Sequence, residues 1–218
     1  MLLDRRRVKF WQKWVFGVMA ILMAAFLLMI PLSGQSCGGG STNGVSDELQ
    51  QEIDRYEAAV KVDPADAQAW RDLGDAYVTS VSAQHQQGAA FTDQETANLT
   101  RATVAYRRAA KLLGEEKGAE AKALRLETLE TLASVYATMG DYERATSIYG
   151  QLTELQPRNA DYFFGMGNAA INAGDTTSAR LAFQRFLELA PDDPAAPDVK
   201  AWIKQNAPSP APTEGTGQ

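Results

Sequence analysis

The chain of 218 residues has one cysteine, Cys37, and one histidine, His85. A lone cysteine cannot close an intramolecular disulfide, and one residue of each type leaves no His/Cys cluster for a metal. Gly-x-Ser-x-Gly, His-Glu-x-x-His, a Cys/His pair and a glycine-rich phosphate loop after a strand are all missing. Adjacent carboxylates such as Asp192/Asp193 stand in a turn with no sign of a pocket, where solvated charge is the ordinary reading. The expectation is therefore no enzyme, no catalytic residue, no metal and no cofactor. Basic charge is also scarce beyond the start of the chain. Residues 1–37 carry five basic groups against Asp4, which leaves 16 basic and 26 acidic groups for the remainder. A body of that sign repels a phosphate backbone, so no nucleic-acid partner is expected.

What the N-terminus has instead is a membrane signal. Residues 1–13 form a basic flank (Arg5, Arg6, Arg7, Lys9, Lys13), and Trp14 to Ile30 follow as an uncharged apolar run ended by Pro31. At ~1.5 Å per residue a helix of that length spans roughly 25 Å, close to a bilayer core of about 30 Å. Trp11 and Trp14 lie where an interfacial aromatic belt belongs. The charge asymmetry puts residues 1–13 in the cytoplasm and the body outside a cell membrane, as a single-pass protein. The run is longer than a usual signal-peptide core, which favours an uncleaved transmembrane signal anchor over residues 14–30. Two alternatives stay open. Gly34-Gln35-Ser36 is a small-x-small cleavage match, and Cys37 before three glycines has the look of a lipidated cysteine without the leucine-type residue three positions ahead. Residues 31–45 read as a flexible linker whose stretch from Gly38 reaches at most roughly 25–30 Å. Ser46 then reads as the N-cap of a helix.

From Leu126 to Pro191 one pattern occurs twice, 34 residues apart. Leu129, Leu132, Ala133, Tyr136, Gly140, Asp141, Ala145, Tyr149, Leu152, Leu155 and Pro157 recur as Phe163, Met166, Gly167, Ala170, Gly174, Asp175, Ala179, Phe183, Phe186, Leu189 and Pro191. A fixed period of this length signals stacked supersecondary units. Glycine before aspartate supplies a left-handed turn between two helices, and proline stops the second helix. Trp70, Leu73, Gly74 and Tyr77, with Ala102, Tyr106, Ala109 and Leu112, give an earlier copy.

This pattern resembles the tetratricopeptide repeat (TPR), a helix-turn-helix unit, in a bacterial protein of the single-pass membrane-anchored type. The resemblance covers residues 46–206 and implies an all-α solenoid. Its parts are a lead-in helix carrying Tyr56, Ala59 and Val62, three repeats at about 67–114, 126–159 and 160–193, and a capping helix at 198–205 with Val199, Trp202 and Ile203 on one face. Residues 207–218 read as a disordered proline-rich tail.

In the first repeat Tyr77 and Ala102 are 25 apart where Tyr136 and Ala145 are nine apart, so sixteen residues are inserted at the hairpin. The simplest geometry lengthens both helices by about two turns into a finger spanning Ser80 to Asn98. Gly88 breaks it and Thr92 to Glu95 reads as a capping box. His85 at the tip is expected to be a solvated surface histidine.

Solenoids bind through a concave surface. By the resemblance, the first helix of each repeat lines it, which gives a peptide-binding groove of Arg71 and Asp75, then Glu130 and Ser134, then Phe164, Asn168 and Asn172. The same groove would include Gln68, Val78, Glu127, Thr138, Asp161 and Ile171. The family's carboxylate clamp needs lysines and asparagines where this chain has Glu127, Glu130 and Phe164, so no clamp for a free C-terminal carboxylate is expected. Phe164, Asn168 and Asn172, on successive turns, offer an apolar anchor and two amides to an extended peptide. The function expected is a membrane-anchored extracytoplasmic scaffold for a protein partner, in envelope protein assembly or cytochrome c maturation. The alternatives are a self-associating structural membrane protein, or a secreted or lipid-anchored form after signal cleavage.

Overall fold

The computed structural model describes the backbone of residues 42–207, with side chains from residue 47 onward. The basic flank, the apolar run 14–30, Cys37 and the tail from residue 208 lie outside the described residues. Among those described, no strand is present and no helix is long and apolar enough to cross a membrane. The described residues form eight helices: α1 Thr42–Val62, α2 Ala67–Gln84, α3 Asp93–Glu115, α4 Ala119–Thr138, α5 Tyr142–Leu155, α6 Ala160–Asn172, α7 Thr176–Leu189 and α8 Ala196–Gln205.

From α2 to α7 each helix packs closely on its neighbours in sequence, and α8 rests more lightly on α7, so the fold is an array of hairpins rather than a globule around one centre. The pairs α2/α3, α4/α5 and α6/α7 are the three repeats. Their turns follow from the sequence. Gly140 and Gly174 take φ of 74° and 79°, which β-carbon crowding makes costly for other residues. Asp141 and Asp175 then cap α5 and α7 through the amides of Arg144 and Ser178. Helices α5 and α7 end at Leu155 and Leu189, just ahead of Pro157 and Pro191.

Close approach within a repeat depends on small residues. Ala133, Ala145 and Ala179 have no exposed surface, and Leu129, Tyr136 and Phe183 fill the space around them. A glycine sits opposite an aromatic ring in the first and third repeats. A Cβ on Gly74 would lie 2.7 Å from the Tyr106 ring, and one on Gly167 would lie 2.3 Å from the Phe183 ring. The second repeat has Ala133 at that place, and its aromatic, Tyr149, lies instead against Gly165 of the third repeat, 2.5 Å from where a Cβ would be. Tyr149 thus ties the second repeat to the third.

Three expectations need correction. Helix α1 starts at Thr42 rather than after Ser46, so residues 42–45 are helical and not linker. Its inward face is Ile53, Tyr56 and Val60, while Val62 is 86% exposed. Val62 lies two residues, or about 200° of rotation, beyond Val60 and so points away. The inserted finger is real but unequal. Helix α2 has 18 residues and α3 has 23, against 13 and 14 in α6 and α7.

The third concerns His85, which is half-buried and engaged rather than freely solvated. Its ring stacks on Phe91 with centroids 4.3 Å apart, and its Nδ1 lies 3.1 Å from Oε1 of the buried Glu95. The other Glu95 oxygen accepts from the Thr92 amide at 2.6 Å, and the Glu95 amide donates to Thr92 Oγ1, completing the expected capping box. The Thr92 amide and His85 together hold the Glu95 carboxyl below its ordinary range despite its burial. Behind it Asn98 donates to Ser80 Oγ at 3.0 Å, and Ser80 donates to the Tyr77 carbonyl. The finger is therefore a packed element with its own polar core.

Candidate functional site

Helices α2, α4 and α6 are the first helices of the three repeats, and all the expected groove residues lie on them. Arg71 pairs with Glu127 across α2 and α4 at 3.0 Å, and its side chain is only 12% exposed. Asp75 accepts the Tyr106 hydroxyl at 2.6 Å, and Glu130 accepts the Tyr162 hydroxyl. Glu57 on α1 plays the same part for Tyr77 at 2.5 Å. The groove residues Arg71, Asp75, Glu127 and Glu130 are thus engaged within the chain, where they fix one helix against another. Ser134 and Thr138 are exposed on α4.

These bridges act on the tyrosines. Burial first, and then the hydrogen bond to a carboxylate, push Tyr77 and Tyr162 up to about 12, and Tyr106 is raised further. Tyr149 is also raised, by burial and by the Glu130 charge. Folded-state values above the unfolded value of 10 mean that the folded chain keeps protons the unfolded chain gives up. The contribution to stability is complete below pH 10 and is lost as pH rises from about 10 to 12. A phenolate absorbance titration should show late-titrating tyrosines whose ionisation coincides with loss of helicity. With Glu130→Gln, Tyr162 should ionise at lower pH; an unchanged profile would show that the Glu130 bridge does not form in solution.

The third repeat is different, because Phe164 is half-buried. Its ring lies 5.1 Å from Phe186 and 6.1 Å from Phe183, and Trp202 of α8 meets Phe183 edge-on at 5.3 Å. Helix α8 covers this end of the array through Val199, Trp202 and Ile203, as a capping helix should. It rests on α7 and leaves a gap against α6. That gap is an open cleft of about 250 Å³ with Phe164, Phe183, Val199 and Trp202 in its walls and Asn168, Ile171 and Asp198 among its lining. Phe164 is therefore both a core residue and a wall of the cleft, and Asn168 keeps an exposed amide at its edge. Asn172 does not join them. Its side-chain amide donates to the Asn168 carbonyl at 2.9 Å, and it borders another depression, shared with the α4–α5 turn at Gly140 to Glu143. The expected ridge of three residues is really a pair with Ile171.

The sequence placed Ile171 in the groove but did not single out Asp198, Val199 and Trp202 as site residues. Val199 and Trp202 were visible as the apolar face of a cap, but which helix they would leave uncovered depends on the path of residues 190–196. Among the described residues, no group of three or more His, Cys, Asp or Glu is placed to hold a metal.

Residues 53–82 and 130–194 match the family model described as tetratricopeptide repeat. The unmatched interval contains the elongated finger and the first half of α4. A comparison with curated proteins finds no match. Solved structures similar to the chain include one titled MamA MSR-1 C2, at 19% identity over 73% of this chain and 78% of that one, with a TM-score of 0.47. TTC0263, a thermophilic TPR protein of Thermus thermophilus, is 16% identical over 73% of each chain, with a TM-score of 0.44. A MamA RS-1 ArsTM double mutant is 10% identical over 78% of this chain and 94% of that one, at 0.46.

Proposed function

We propose that this chain, which carries tetratricopeptide repeats, is a scaffold that holds an extended segment of a partner protein in the α6–α8 cleft. The observation that carries this reading is the cleft itself: aromatic and aliphatic walls with the exposed Asn168 amide and the Asp198 carboxylate at its border. An apolar side chain of the partner would fill the cleft while its backbone pairs with the Asn168 amide. A pocket with apolar walls and few polar groups orients a ligand mainly by shape.

The finer reading places the scaffold outside a bacterial cell membrane, tethered by residues 14–30, where it would serve envelope protein assembly or cytochrome c maturation. The uncharged run behind a basic flank supports the tether, and the pathway rests on analogy with anchored proteins of similar layout. A test uses the full chain crosslinked in native membranes, alone and as Ile171→Glu. Ile171 is 37% exposed, so a carboxylate there should leave folding intact while charging the mouth of the cleft. Capture of a partner by the parent chain and its loss with the variant is the expected result. The same partner recovered with both would contradict the site, and recovery of the chain alone would point to self-association. Alkaline extraction that strips the chain from the membrane would contradict the tether.

A further inference from the structure

A second pocket, sharing no residue with the α6–α8 cleft, lies between α3 and α5. Both helices pack on α4, and neither packs closely on the other. The gap left between them is about 270 Å³ and has α4 at its floor. Leu129 and Leu132 of α4, each 1% exposed, provide an apolar base. Around it stand Arg107 and Lys111 from α3, Arg125 from α4 and the Gln151 amide from α5.

Two features set this cluster apart in a chain of net charge −6. No carboxylate lines the pocket, and none of the five ion pairs among the described residues uses Arg107, Lys111 or Arg125. Arg125 is also the one described residue with a buried side-chain polar atom, its Nε, that has no hydrogen-bond partner. That nitrogen is enclosed, so it marks Arg125 as a side chain held in place, which leaves the rest of its guanidinium to serve the pocket it lines. Gly114 holds it there: a Cβ at that position would come within 3.0 Å of Arg125 Cζ, so the absence of a side chain is what admits the guanidinium.

We propose that this pocket binds an oxyanion, a carboxylate or phosphate group, carried on a short apolar stem. The anion would accept from Arg125, with Arg107, Lys111 and the Gln151 amide around it, and the stem would lie on Leu129 and Leu132. Arginine suits this role because its planar fork matches both oxyanions and carries charge at every working pH. The site lies against both α3 and α5, so an occupant would also brace the first repeat against the second.

The test is calorimetric titration of the full chain at fixed ionic strength with inorganic phosphate and, separately, with hexanoate. Saturable one-to-one binding of at least one is expected. Phosphate alone would identify the phosphate group as the ligand, and hexanoate alone a carboxylate with its stem. Arg125→Gln should weaken binding by at least about tenfold, the scale of one lost charge-assisted hydrogen bond. Should that variant fold poorly, Arg107→Gln/Lys111→Gln changes only exposed residues and should produce the same loss. No saturable binding of either anion, or binding by the double variant equal to that of the parent, would overturn the proposal.

Discussion

Phe183→Ala is expected to cost about 3–5 kcal/mol of unfolding free energy, the scale for removing a fully enclosed aromatic. Phe183 is 2% exposed and stands where three elements meet: Gly167 and Phe164 of α6 on one side and Trp202 of α8 on another. No single neighbour can move into the hole without leaving another contact, so the cavity should persist. Because α8 rests on the rest of the array through few contacts, the loss should appear first at that end. Trp202 should become solvent-exposed, seen as a red shift of its fluorescence, before helicity across the other repeats declines. A cost below about 1 kcal/mol would mean that α8 is not held by this ring.

Gly167→Ala should also destabilise, by about 1–3 kcal/mol, against the usual trend. In an ordinary helix interior alanine in place of glycine gains roughly 1 kcal/mol. Here the added methyl would stand 2.3 Å and 2.4 Å from two carbons of the Phe183 ring, and that ring has Trp202 behind it at 5.3 Å. Gly150, inside α5, provides the comparison within the same chain, because nothing lies within 4 Å of a Cβ placed there. Gly150→Ala should therefore follow the trend and stabilise. Denaturant unfolding of both variants checks the pair. Equal gains would show that the α6–α7 approach is looser than described.

The repeat could be read because its determinants are short-range in kind and fixed in spacing. Gly140-Asp141 and Gly174-Asp175 state a turn and a cap in two residues each, and the 34-residue offset says that the units stack. The capping box at Thr92 was equally local. The misreadings came from a weak local signal or from partners elsewhere in the chain. Helix α1 has no strong start signal, so its boundary was set at the first good N-cap, Ser46, while the backbone continues helical back to Thr42. His85 looked isolated because Phe91 reaches it only when the finger's loop folds back. The groove carboxylates looked available because the tyrosines that engage them belong to other helices. Glu130 and Tyr162 are 32 residues apart, close to one repeat period, and that was the available signal for their bridge; Asp75 and Tyr106 lie within one repeat, 31 residues apart only because the finger is inserted between them. The α3–α5 pocket shows half of itself in sequence, since Arg107 and Lys111 are one turn apart on one helix face. Arg125 comes from the next helix, and its unpaired nitrogen has no counterpart in any sequence pattern.

The central claim is that the α6–α8 cleft is where a partner is held. The most direct measurement places a photocrosslinking side chain at Asn168, on the edge of the cleft, and in a second chain at Leu181, which is 57% exposed on α7 away from it. Irradiation in native membranes should join the Asn168 probe to one protein other than the chain itself and give no such product from the Leu181 probe. Crosslinks of equal strength and identity from both positions, or none from Asn168 while the parent chain still captures a partner, would contradict it.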